Sequence, residues 1–450
     1  MKKTMLTALA ALLVAVPAAQ AQKVNEAALL SKIEKSDADI ADAKKNVKAA
    51  TWINRAKAYY DAAAEPTKNL FVGMDASMLK LNAAVGEPAS TGKAQVNGES
   101  YQTMVYPYFT VYVKDGKVVT WQQTRQVLDG AIDKAVEAYN KAYELDPKAV
   151  EKVKAGLKQI SDYCSQVGNA GLDLGTYAAA ADAYMQAYGA QSSPAYGEAD
   201  PMLLYYAGYL RTIDGSNDPA SFALGADYLN RALEKGYADE EGNIYYYLFH
   251  CYYGQKAQDP AFVLKSKDAL LAGIEKFPKN ERILDGLMQL YTTEQGVGDP
   301  ADLVALIDAA IADNPSNTDL WFGRGRIFYA MKNYDESIAS FAKVVELQPE
   351  MFEGNYYLGV FYTIKGDALN QEMNAKQYSS QSDYDADLAA VNQVYLAAVP
   401  WFEKAHELKP EDVDTLEFLK QLCFRLRDEE GMMDKYQTYN VLYKQAKGLE

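Results

Sequence analysis

The side chains best suited to chemistry near neutral pH are scarce in this 450-residue chain: two histidines and three cysteines. His250 stands between Phe249 and Cys251 in an apolar helical stretch. It could serve there as a general base, but a packed or groove-lining ring is the better reading. His406 lies beside Glu403 and Glu407 on a charged helix face and is expected in solvent. Cys164, Cys251 and Cys423 also fall in apolar helical stretches. Their odd number leaves at least one thiol unpaired, and buried small hydrophobes are favoured over a disulfide. Asp239, Glu240 and Glu241 supply carboxylates for calcium but lack the alternating ligands and turn glycine of a calcium loop, so a solvated turn is expected. No phosphate-binding Gly-rich loop, G-x-S-x-G elbow, H-E-x-x-H helix or paired C-x-x-C occurs. No catalytic, cofactor-binding or metal-ligating residue is assigned.

Composition points the same way. With 45 Lys plus Arg against 61 Asp plus Glu, the net charge is −16. That balance argues against nucleic acid, which needs a basic footprint. The chain is 49% apolar and 24% charged, an ordinary globular balance. Its surplus is in alanine and in 35 tyrosines. The length suits two or three domains, or one array of repeats.

The first 21 residues have a basic start at Lys2 and Lys3, an apolar run from Met5 to Val16, and small residues at Ala19 and Ala21. This is the pattern of a secretory signal peptide cleaved near Ala21. Its apolar run of 12 residues falls short of the ~20 that span a bilayer. Gln22 follows, where a lipoprotein would carry cysteine. The mature chain is therefore expected to be exported, periplasmic or secreted, and not membrane-spanning. Loss of Lys2 and Lys3 takes its charge from −16 to −18.

What remains must be positioned by its elements, and those repeat. Residues 318–349 read as two helices about a tight turn at Met331–Asn333. Trp321, Gly325 and Phe328 share one face of the first helix, and Tyr334, Ile338, Phe341 and Val345 one face of the second. Pro349 closes the unit. Pro315 to Pro349 is 34 residues, Pro278 to Pro315 is 37, and Pro349 to Pro410 is 61, which implies a 27-residue insertion at about 368–394. That insertion is polar and is expected to be partly loop.

The 318–349 unit resembles the tetratricopeptide repeat at Trp321, Gly325, Phe328, Tyr334, Phe341 and Pro349. It departs at Arg324, where leucine is usual, and at Ser337 and Val344, where alanine is usual. Leu358-Gly359, Tyr362 and Gly366 continue the pattern in the next unit. The stretch WFEKAHELKPED, residues 401–412, is similar to final helices of envelope tetratricopeptide proteins of Bacteroidota-like bacteria. The resemblance implies an all-α fold, a right-handed α-solenoid of about eight helix pairs. An N-terminal helix would occupy 22–48, a first repeat 49–147, degenerate repeats 148–315, repeats 316–410 and a capping pair 411–450.

The first repeat is too long. Trp52 to Pro147 is 95 residues against 28 from Trp321 to Pro349, which leaves an insertion at about 66–123. MDASMLKLNAAVGEP, residues 74–88, suits a short helix. Phe109, Val111 and Val113 alternate with polar neighbours before the turn Asp115-Gly116, so a β-hairpin is expected. It reads as a cap on the first helix pair.

In tetratricopeptide arrays the first helix of each pair lines a concave wall. Placed on the Trp321 frame, that wall would carry Phe322, Arg326 and Tyr329, then Tyr356, then Tyr246, His250 and Tyr253, and Tyr205 with Tyr209. Tyrosine offers broad contact area with few rotors, suited to peptides or sugars; core packing between repeats is the competing reading. Relatives that clamp a C-terminal carboxylate use lysine and asparagine at places held here by Ile53, Lys57, Phe322 and Arg326, so no such clamp is expected. The leading expectation is a non-enzymatic scaffold for a protein or peptide partner. The second is a glycan-binding or uptake accessory protein of the envelope.

Overall fold

The computed structural model describes residues 24–81 and 85–448. The expected signal peptide and its cleavage site lie outside the described residues. The chain divides at Tyr237/Ala238 into two compact units.

The first unit runs α1 (Glu26–Ala41), α2 (Ala49–Ala64), α3 (Ala76–Leu81), β1 (Ser90–Val96), β2 (Glu99–Val105), β3 (Phe109–Lys114) and β4 (Lys117–Gln123). It continues α4 (Ala131–Leu145), α5 (Val150–Asp173), α6 (Tyr177–Gln191), α7 (Met202–Asp214) and α8 (Ala220–Glu234). Helices α2 and α4 pair across the insertion, followed by the pairs α5/α6 and α7/α8, and α1 packs on α2. Buried alanines bring these helices close: Ala180, Ala181, Ala183, Ala187 and Ala190 lie along α6. The insertion is larger than one hairpin. It is an antiparallel sheet of four strands in the order β1-β2-β3-β4. The expected turn at Asp115-Gly116 is present, with φ of 51° and 74°. A second such turn, Asn97-Gly98 at φ 52° and 83°, joins β1 to β2. Phe109, Val111 and Val113 are buried as their alternation requires. The sheet is docked: Tyr108 Oη donates to Glu26 Oε2 of α1 at 2.7 Å, and Arg125 Nη2 reaches the same oxygen at 2.7 Å.

The second unit runs α9 (Asn243–Tyr253), α10 (Ala261–Lys276), α11 (Glu281–Thr293), α12 (Pro300–Asp313) and α13 (Thr318–Ala330). Then follow α14 (Tyr334–Leu347), α15 (Phe352–Ala375), α16 (Gln381–Leu408), α17 (Val413–Arg425) and α18 (Met432–Ala446). First helices pack on first helices, α9 on α11 and α11 on α13, and each second helix meets the next first helix, as α14 meets α15. The repeat is written in one hydrogen bond. Trp321 Nε1 donates to the Pro315 carbonyl at 2.9 Å, and 34 residues on, Asn355 Nδ2 donates to the Pro349 carbonyl at 2.9 Å. Trp52 Nε1 makes the same bond to the Asn46 carbonyl at 2.7 Å in the first unit. Each ties a first helix to the chain six residues before it.

Two of the departures from the repeat signature have physical reasons. Arg324 takes the leucine position and binds across three helices: Asp308 at 2.7 Å, Ser340 Oγ at 2.7 Å and Glu336 at 2.9 Å. Ser337 is fully buried and donates to the Gly325 carbonyl at 2.9 Å, fastening α14 to α13 where they cross. Gly325 is required there, since a Cβ would overlap the Phe341 ring.

The insertion at 368–394, expected to be partly loop, is mostly helix. Only 376–380 interrupt helix, so the added residues lengthen α15 to 24 residues and α16 to 28. Met373, Val391 and Tyr395 bury one face of this extension, and Tyr378 and Tyr384 pack against it. Its polar sequence is the outer face of a long hairpin.

Candidate functional site

On α11, Glu281 and Asp285 are one turn apart and so share a face. On α13, Arg326 extends between them: its Nη2 lies 3.6 Å from Glu281 Oε2 and 3.5 Å from Asp285 Oδ1. On α15, Tyr357 Oη donates to Glu281 Oε1 at 2.8 Å, and the Arg326 guanidinium stands 5.7 Å from the Tyr357 ring centre. On α9, the Tyr247 hydroxyl accepts from Arg282 at 3.3 Å. A row of polar contacts thus crosses four consecutive first helices.

Burial, aided by the Glu281 carboxylate, pushes the Tyr357 phenol up to about 12, so it remains a donor at physiological pH. The row borders a groove of about 530 Å³ lined by Asn243, Lys276, Lys279, Glu281, Arg282 and Asp319. Its side chains carry both signs of charge.

Arg326 is half-buried on α13 and reaches across to α11. Phe322, expected on the same wall, is turned inward. It is 2% exposed, packed edge-on against Phe341 at 4.9 Å and Tyr357 at 5.5 Å, and belongs to the core. One residue beyond Trp321 turns the side chain about 100°, into the seam between its own pair and the next. Tyr329 and Tyr356 are half-buried, Tyr329 against Phe361 at 5.0 Å and Tyr356 between Phe402 and Phe418. On α9, Tyr246 meets His250 edge-on at 4.4 Å, and Tyr253 stacks on Phe249 at 5.5 Å and donates to Glu294 at 2.6 Å. In the first unit Tyr205 and Tyr209 are half-buried, Tyr205 within 5.6 Å of Tyr206. These tyrosines serve packing with one edge and leave the other accessible.

The other reactive residues have structural places. The three cysteines are buried and form no disulfide, and burial raises the Cys164 thiol to about 12 and the Cys423 thiol to about 11. Asp239 caps α9, accepting from the backbone N–H groups of Asn243 and Ile244, each at 2.9 Å. His406 is half-buried against Tyr439 at 5.8 Å rather than solvated. Among the described residues no group of three or more His, Cys, Asp or Glu side chains is placed to hold a metal ion.

Burial holds the His250 imidazole below its ordinary value of 6.5. The unfolded chain then takes up this proton first as pH falls, so the stability His250 contributes is complete above about 6.5 and declines below it. Urea midpoints should drop between pH 7 and 5, and drop less in His250→Gln; equal slopes in both proteins would refute this.

Comparison with known families matches the tetratricopeptide repeat at residues 318–351, which is α13 and α14, and again at 129–149, which covers α4. Comparison with curated proteins gave no match. Similar solved structures include MamA, 14% identical over 43% of this chain and 94% of that one, with a TM-score of 0.27. A TPR repeats protein from Bacteroides fragilis is 17% identical over 58% of this chain and 97% of its own, with a TM-score of 0.26. The C-terminal part of a TPR repeat-containing protein from Cytophaga hutchinsonii is 14% identical over 65% and 96%, with a TM-score of 0.33. Two family matches, and a carbonyl-to-side-chain bond repeated at a 34-residue interval, show that the chain carries tetratricopeptide repeats.

Proposed function

We propose that the chain is an exported, non-enzymatic scaffold, periplasmic or secreted, that binds an extended protein or peptide segment along the wall of α9, α11, α13 and α15. The observation that carries this reading is the row from Tyr247 through Arg282, Glu281, Asp285 and Arg326 to Tyr357. It runs across repeats rather than along one helix, as recognition of an extended chain requires. Lys2, Lys3, the apolar run and Ala21 support export.

A photo-crosslinking residue at Arg282 or Asp285, in cells producing the full chain, should trap a protein or peptide. The same residue at Leu224 or Leu264, exposed on second helices, should not. Arg282→Glu should weaken capture at Asp285 about tenfold and change stability by no more than about 0.5 kcal/mol, since Arg282 is exposed. Equal trapping at all four positions would remove the wall from the reading. Mass spectrometry of the exported protein should find Gln22 at its N-terminus.

A further inference from the structure

The first unit holds a half-open pocket of about 360 Å³ beside its β insertion. Strand β4 and the turn after it form one side, and α2, α4, α5 and α6 form the other. The lining is unlike the rest of this acidic chain. Among the described lining residues only Asp182 is charged, and its carboxylate is ion-paired with Arg211. The polar groups are amides and hydroxyls: Gln122, Gln126, Gln186, Thr67 and Thr176. Trp121 and Tyr163 add aromatic surface, and alanines line much of the rest.

Part of this lining is fixed and part is free. Gln123 Oε1 accepts from Tyr163 Oη at 2.8 Å while its Nε2 donates to the Arg125 carbonyl at 3.1 Å, which locks strand to helix. The Trp121 indole N–H and the side-chain amides of Gln122 and Gln126 are engaged by no other protein group among the described residues. A second cavity of about 240 Å³ adjoins the first and shares Thr67, Trp121, Tyr163 and Val167 with it.

The ligand follows from this chemistry. A charged molecule would lose its hydration here and gain no free counter-charge, which is unfavourable. An apolar one would leave the amides unpaired. A flat-sided molecule bearing many hydroxyls satisfies both surfaces, with C–H faces on the rings of Trp121 and Tyr163 and hydroxyls on the amides. We propose that this cavity binds a neutral, hydroxyl-rich small molecule of one or two sugar rings, held between the β insertion and α5/α6. The site is separate from the wall of first helices and does not depend on a partner binding there.

The test titrates the full mature chain with glucose, N-acetylglucosamine, maltose and cellobiose, with glucuronate as a charged control, by calorimetry and tryptophan fluorescence. At least one neutral sugar should bind saturably with a Kd at or below about 1 mM, and glucuronate should not. Trp121→Ala should abolish the fluorescence change. Gln122→Ala with Gln126→Ala should weaken binding tenfold or more and leave the melting temperature unchanged, because neither amide supports the fold. Absence of saturable binding by all four neutral sugars up to about 10 mM would overturn the proposal. So would undiminished affinity in the double glutamine variant, or glucuronate binding as tightly as a neutral sugar.

Discussion

Phe341→Ala should cost the second unit about 3–5 kcal/mol, read as a lowered urea midpoint. Phe341 is fully buried at the meeting of three helices, its ring centre 4.9 Å from Phe322 on α13 and 4.9 Å from Phe361 on α15. Tyr357 approaches at 5.6 Å, and Gly325 lies flat beneath. Each surrounding ring is held by its own helix, so the vacated space cannot close, and the cavity cost adds to the lost burial. In a repeat array each pair leans on its neighbours, so amide exchange should quicken across α13, α14 and α15 first. Leu347→Ala on the same helix, 36% exposed, should stay near 0.5 kcal/mol. A Phe341→Ala loss below about 1 kcal/mol would show that the array repacks around the deletion.

Arg211→Met is the second large effect, about 3 kcal/mol in the first unit. Arg211 is 8% exposed and Asp214 is 9% exposed, both on α7. Arg211 donates to Ser221 Oγ at 3.2 Å, and Ser221 in turn donates to Asp214 at 2.5 Å, so one buried network joins α7 to the start of α8. Methionine fills much of the volume but strands the Asp214 carboxylate, and that uncompensated charge is the source of the loss. Adding Asp214→Leu should therefore recover most of it. The outer partner behaves differently: Asp182, with a side chain 64% exposed, should cost no more than about 1 kcal/mol as Asp182→Ala. If the double variant is no better than Arg211→Met alone, packing rather than stranded charge is responsible.

What could be read from residue order depended on how local the cause was. The 34-residue interval, the Gly325 crossing and the Asp115-Gly116 turn are set by neighbours in sequence, and each stands where it was expected. β1 escaped notice because STGKAQV has no apolar alternation and lies almost wholly exposed, although Asn97-Gly98 after it was a turn signal of equal strength. The 368–394 segment is loop only at 376–380, less than its polar sequence suggests, because a helix with one buried face looks polar when its few anchors are spread thinly. At the candidate site, Arg326 was accessible by counting from Trp321. Glu281, Asp285 and Tyr357 were not, because they become its neighbours only through the stacking of pairs 31 to 45 residues away. Phe322 failed for the same reason, since the next pair, invisible in its own helix, buries it.

The lengthened hairpin of α15 and α16 separates the part of a helix pair that meets its neighbours from the part that does not. At about 1.5 Å per residue, α15 with its 24 residues is roughly 36 Å long, against about 20 Å for α13 with 13. The growth is at the tip, where two antiparallel helices can gain turns together without disturbing the basal turns that touch adjoining pairs. Gly359 still meets Phe402 at that base as Gly325 meets Phe341. Stacking therefore constrains the basal turns of this pair more tightly than the length of the hairpin beyond them.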